Sequence, residues 1–79
     1  MWYVYILQCA DDSLYTGITN NLEKRLKDHN ESPQGAKYTK ARRPVHLVYS
    51  KRKKNRSYAL KEEAAIKKMT RAQKLTLLK

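Results

Sequence analysis

The stretch that decides the fold is Trp2-Tyr3-Val4-Tyr5-Ile6-Leu7, then Ala10-Asp11-Asp12-Ser13, then Leu14-Tyr15-Thr16-Gly17-Ile18. The first six residues are aromatic, β-branched or Leu. They form a run too short for a buried helix and suited to a strand covered on both faces. Small and acidic residues then make a turn, and Leu14–Ile18 is a second strand, so residues 2–18 predict a β-hairpin. Loop length decides which side chains meet. A three-residue loop, with Asp12 in the left-handed region, pairs Tyr15 with Leu7 and puts Tyr5 and Tyr15 on one sheet face. A two-residue loop at Asp11-Asp12 puts them on opposite faces. If the tyrosines converge, they do so beside Gly17, where a missing side chain lets a ligand approach the backbone. Tyr3, on the same odd face, reads equally well as core filler.

Downstream, Asn20 with Glu23 predicts a capping box opening a helix, whose apolar stripe is Leu22 and Leu26. Arg25 and His29 flank that stripe on one side, one turn apart, at the seam between helix and sheet. Asn30 to Gly35 reads as a loop, Val45 to Tyr49 as a third strand, and Lys51 to Arg56 as a basic linker. Ser57 is the expected cap of a second helix reaching Met69. Thr70 and Gln73 predict another capping box, opening a last helix from Arg71 to Leu78 with Leu75 and Leu78 inward. The order β-β-α-β-α-α predicts an α+β fold: a small three-stranded antiparallel sheet flanked by helices.

With 79 residues the chain has room for one domain with a thin core, and no spacious pocket for a large cofactor. One cysteine, Cys9, excludes an internal disulfide, and zinc-ligand spacing is absent, which points to a reduced, cytoplasmic protein. No apolar run of about 18 residues or signal-peptide pattern occurs, so a membrane is not the expected partner. Eighteen Lys and Arg against seven Asp and Glu leave a net charge of +11, which calls for a polyanion. Residues 37–56 carry nine Lys or Arg and no acid, interleaved with Tyr38, His46 and Tyr49. Phosphate contact is the natural use of that density, and nucleic acid the leading partner. On the second helix, Glu62 and Glu63 both fall within the arc of Ala59, Leu60, Ile66 and Met69. A carboxylate there needs an ion pair, such as Glu63 with Lys67, or a cation. Helical geometry does not choose between the two glutamates as a cation's anchor.

These residues form a pattern. Tyr5 is followed ten residues later by Tyr15-Thr16-Gly17, Arg25 lies eight residues beyond the glycine, His29 one turn on, and an acid on a later helix. Gly35 to Thr39, Arg42-Arg43-Pro44 and Glu63 to Lys67 extend it. The sequence resembles the GIY-YIG nuclease superfamily, in particular its short stand-alone bacterial members, over essentially the whole chain. It departs at Tyr3-Val4, which stand for the leading Gly-Ile, and at Thr16, which stands for an Ile. The resemblance implies a single nuclease domain over residues 1–79 that hydrolyses phosphodiester bonds in DNA as a Mg²⁺-dependent endonuclease, with Mn²⁺ as substitute. It implies that Tyr5 and Tyr15 line the site and one assists deprotonation of the attacking water. Arg25 would stabilise the phosphate, His29 and Tyr38 would be accessory catalytic groups, and Glu63 would be the sole protein ligand of the metal.

The expected nucleic-acid contacts are Gly17, Lys37, Lys40, Arg42, Arg43, Lys51, Arg52, Lys53, Lys54, Arg56 and Lys67. A monomer is expected, with a protein partner as one source of substrate specificity. The competing reading is a non-catalytic basic module for DNA or RNA that keeps the nuclease fold.

Overall fold

The computed structural model describes residues 1–31 and 37–78, the side chains of Lys37 and Tyr38 excepted. Of the loop expected from Asn30 to Gly35, Asn30 and Glu31 are helical and the rest, with the roles expected of Lys37 and Tyr38, lies outside the described residues. The hairpin strands are β1 (Trp2–Gln8) and β2 (Leu14–Thr19), followed by α1 (Leu22–Glu31) and a short turn of helix, α2 (Lys37–Lys40). Strand β3 (His46–Lys53), α3 (Arg56–Lys67) and α4 (Arg71–Leu77) complete the chain. The sheet is antiparallel in the order β2-β1-β3. The α+β order is the expected one, with α2 inserted between α1 and β3.

The hairpin takes the three-residue loop. Leu7 pairs with Tyr15, and Asp12 has φ 66°, a left-handed conformation that Asp tolerates better than most residues. Asp11 accepts from the Ser13 amide at 3.1 Å and from its hydroxyl at 2.6 Å, which holds the turn. As the central strand, β1 is buried on both faces, the expected cost of a run without polar positions. On one face Val4 and Ile6 pack with Ile66 of α3, and on the other Tyr5, Leu7, Cys9 and Val45 pack with Leu22 and Leu26 of α1. The site thus lies where α1 crosses the tyrosine face.

Several local expectations shift. The cap of α1 is Asn21 and not Asn20: its Oδ1 accepts from the Lys24 amide at 3.1 Å. Thr19, the last residue of β2, takes the Asn21 amide at 3.1 Å, which moves the helix start one residue on and leaves Glu23 no capping-box role. Asn55, not Ser57, caps α3, accepting from the Tyr58 amide at 3.0 Å. Of the expected basic linker, Lys51 to Lys53 are instead the end of β3, Arg56 opens α3, and Lys54 and Asn55 alone connect the two. An edge strand keeps one side in water, where Lys and Arg are tolerated and discourage pairing with another chain. Helix α3 ends at Lys67 rather than Met69. Thr70 and Gln73 do form the capping box, but Leu75 is 39% exposed while Leu77 and Leu78 pack against the Ile66 cluster.

One polar group does not fit its setting. Thr16 pairs with Ile6, is 3% exposed, and its hydroxyl has no hydrogen-bond partner among the described residues. A buried hydroxyl without a partner costs about 1–3 kcal/mol, so Thr16→Val is expected to stabilise the fold by roughly 1 kcal/mol. Urea denaturation checks this, and a lower midpoint for Thr16→Val would show that the hydroxyl has a partner.

Candidate active site

Gly17 stands directly across from Tyr5 in the β1–β2 register. A Cβ at Gly17 would lie 2.5 Å from the Tyr5 hydroxyl oxygen and 2.7 Å from its ring carbon Cζ. The phenol therefore lies over the glycine. The space expected to admit a ligand is filled by Tyr5 itself, so Gly17 serves in this structure as the seat of the Tyr5 phenol.

From that seat the Tyr5 hydroxyl reaches His29 Nε2 at 2.9 Å. His29 is completely buried, and its Nδ1 lies 2.8 Å from the hydroxyl of Thr39, which is also completely buried. The ring of Tyr15 meets His29 edge-on with centroids 5.1 Å apart. Arg25, one turn before His29 on α1, is half-buried, and its guanidinium bonds and charge act on the Tyr5 hydroxyl. Tyr5 and Arg25 share a hollow with Leu7, Leu22, Leu26 and Leu47. Arg25 also faces an open polar cleft of about 320 Å³ with Lys24 and Asn21. Tyr5 and Tyr15 share a face, as the three-residue loop requires, and Arg25 and His29 of α1 meet them there.

Burial sets the protonation of this group. It pushes Tyr5 up to about 12, opposed by Arg25 and reinforced by Tyr15 and Glu63. It also lowers His29 to about 4, helped by the Arg25 and Arg43 charges against Asp28. At neutral pH the pair is a phenol and a neutral imidazole. The structure also separates the two glutamates. Glu62 is paired with Lys53 of β3 at 2.7 Å, which draws its carboxyl below the usual range. Glu63 is the one whose charge acts on Tyr5, and its ion pair with Lys67 is long, at 3.5 Å.

The basic residues divide by task. Arg43 donates to the carbonyls of His29 at 2.6 Å and Asp28 at 3.2 Å, so it satisfies the last turn of α1. Asn30 bonds both the amide and the carbonyl of Val45, at 2.7 and 3.0 Å, and ties α1 to the start of β3. Together they fix His29. Arg42 pairs with Asp11 at 3.0 Å, Lys53 with Glu62, and Arg56 stands 5.8 Å over the Trp2 ring. These four cations carry structural contacts where phosphate contacts were expected. Lys40, Lys51, Arg52 and Lys54 are exposed. Neither Thr39, between Tyr38 and Lys40, nor Asn30, between His29 and Glu31, is legible in the sequence, since a lone polar residue in a polar stretch carries no signal of its tertiary contacts.

A hydroxyl-bearing strand pair beside a helical Arg and His, with an acid from a later helix, defines a GIY-YIG catalytic core. The sequence profile of the GIY-YIG catalytic domain matches residues 1–76, and the chain belongs to this family. A UPF0213 protein of Syntrophus aciditrophicus is 60% identical over 77 residues, 98% of this chain and 88% of that one. A UPF0213 protein of Staphylococcus aureus is 53% identical, again over 98% of this chain and over 93% of its own length. The solution structure of a UPF0213 protein from Bacillus halodurans superposes with a TM-score of 0.63 at 40% identity, covering 99% of this chain and 83% of that one. Among the described residues no helix is long and apolar enough to cross a membrane.

The buried imidazole makes stability depend on pH. Folded His29 takes a proton only near pH 4, whereas the unfolded chain takes it near 6.5. Between those values the unfolded state binds more protons, so this contribution is full above 6.5 and is lost as pH falls toward 4. His29→Gln is expected to flatten the difference in urea midpoint between pH 7 and pH 4.5. An unchanged slope would place the loss elsewhere.

Proposed function

We propose that the protein is an endonuclease that hydrolyses phosphodiester bonds in DNA, with Tyr5 and His29 moving the proton of the attacking water. The observation that carries this is the buried Tyr5–His29 contact at 2.9 Å, held beside Arg25 in a strongly basic chain. The water oxygen forms the new bond to phosphorus as the leaving oxygen departs. Its proton passes to the Tyr5 oxygen while the Tyr5 proton moves to His29 Nε2. This needs the His29 tautomer whose Nδ1–H donates to Thr39. The relay spares Tyr5 a free phenolate, which burial disfavours, and leaves the proton on His29 as an imidazolium that burial opposes. The negative charge of a phosphate beside Arg25 opposes that cation's effect on His29 and raises its affinity for the proton. Arg25 offers a planar fork for two phosphate oxygens.

Among the described residues no three His, Cys, Asp or Glu side chains gather, and Glu63 is the acid whose charge acts on Tyr5. That donor fits Mg²⁺, which is commonly held by one or two carboxylates with water and substrate phosphate. Glu63 would hold it once Lys67, on a 55% exposed side chain, swings away. The ion, or Mn²⁺ in its place, would supply positive charge against that developing on the phosphate. Lys40, Lys51, Arg52 and Lys54 would bind neighbouring phosphates, which makes affinity fall steeply with salt.

Plain, flapped and branched DNA incubated with Mg²⁺ tests this reading. Arg25→Ala and Glu63→Ala are each expected to slow cleavage by about 100-fold or more, the scale of losing one charge-stabilising group. Cleavage that persists in both variants contradicts the assignment. Salt-sensitive binding by the unmodified protein, with no cleavage under either ion, would make it a binding module instead.

A further inference from the structure

We propose that the cleft walled by Tyr3, Leu22 and Leu47 is a nucleobase subsite, in which the Tyr3 ring stacks on the base adjoining the phosphate at Arg25. The position of that phosphate rests on the function proposed above; the base-binding cleft itself does not.

Tyr3 lies two residues before Tyr5 on β1, so both point to the same sheet face. Their settings differ. Tyr5 is 2% exposed, whereas Tyr3 is only partly buried and stands outside both core clusters. Tyr3 lines an open cleft of about 450 Å³ with Asn20, Asn21, Leu22, Glu23 and Leu47. That volume falls in the ~300–1,000 Å³ range of small-ligand clefts.

The chemistry of the lining selects the occupant. Tyr3, Leu22 and Leu47 give apolar walls, and Leu47 is 39% exposed, unusual for a large aliphatic side chain on this small sheet. Asn20 and Asn21 bring amide groups that suit the polar edge of a base. Among the described residues lining the cleft, the only charge is the carboxylate of Glu23. A phosphate is repelled there, and an uncharged aromatic base is not. Charge returns at the borders. Arg52 pairs with Tyr3 across β1 and β3, shares its face and is exposed. Leu22 and Leu47 also wall the hollow of Tyr5 and Arg25, and Asn20 and Asn21 also line the cleft of Lys24 and Arg25. The base cleft and the phosphate position are therefore contiguous, as base and phosphate are in one nucleotide.

The test is equilibrium binding by fluorescence anisotropy in EDTA, where hydrolysis plays no part. Two probes of equal length and charge are compared: a single-stranded thymidine oligonucleotide and a strand of abasic sites. The unmodified protein is expected to bind the base-bearing strand more tightly. Tyr3→Ala is expected to weaken binding of that strand by about 5- to 150-fold, the range for losing one base–aromatic stack, and to leave abasic binding unchanged. Tyr3→Phe keeps the preference. Tyr3→Leu, which retains an apolar side chain and guards against a folding defect, loses it. Equal weakening on both probes, or none on either, overturns the proposal. Because the readout is binding, a protein that proved unable to cleave DNA would leave this result interpretable.

Discussion

The structure depends on one close approach, the Tyr5 phenol lying over Gly17 of the neighbouring strand. A methyl group at Gly17 would collide with the ring, so this glycine works by steric absence rather than by backbone freedom. The consequence travels from packing to chemistry. A phenol held there is aimed across the sheet face at α1, where His29 meets it, and the contact is buried enough to move both groups from their ordinary titration ranges. Arg43 and Asn30 then fix the end of α1, so the imidazole has little freedom to turn away.

The hairpin and its tyrosines were legible because a strand has period two and a loop of known length sets the register. Only the loop had to be right. Asp12 at positive φ made it three residues, and Tyr15 fell opposite Leu7 as a result. Helix starts were legible only to within a residue or two. Asn20 and Asn21 are equally good caps on paper, and the choice belongs to Thr19, which binds the Asn21 amide. The basic end of β3 misled for a physical reason: composition marks Lys51 to Lys53 as polar, and an edge strand accepts polar residues as readily as a linker does.

Within the site, the residue types that carry chemistry were visible and their supports were not. Spacing along a hairpin and a helix put Tyr5, Tyr15, Arg25 and His29 within reach of one seam, and the resemblance to the nuclease superfamily singled them out. Thr39 reaches His29 only through the tertiary fold, and no pattern in Lys37 to Lys40 announces it. The glutamates show the same boundary. A helical wheel places Glu62 and Glu63 in one arc, and only the position of Lys53 on β3 assigns Glu62 to an ion pair. Net charge likewise pointed to a polyanion without telling structural arginines from exposed ones. Arg43 serves a helix end, and Arg52 stands open on the sheet.

The central claim is that the tyrosine pair, Arg25 and Glu63 compose one phosphate-processing site. Paramagnetic broadening by Mn²⁺ tests it most directly, read from amide spectra of the protein bound to a non-hydrolysable phosphorothioate oligonucleotide. The account predicts broadening centred on Glu63 in α3 and spreading to the Tyr5 and Tyr15 segments of β1 and β2, all of it lost in Glu63→Gln. Broadening centred on another acid, such as Asp28 or Asp11, with the Glu63 signal left sharp, would contradict it.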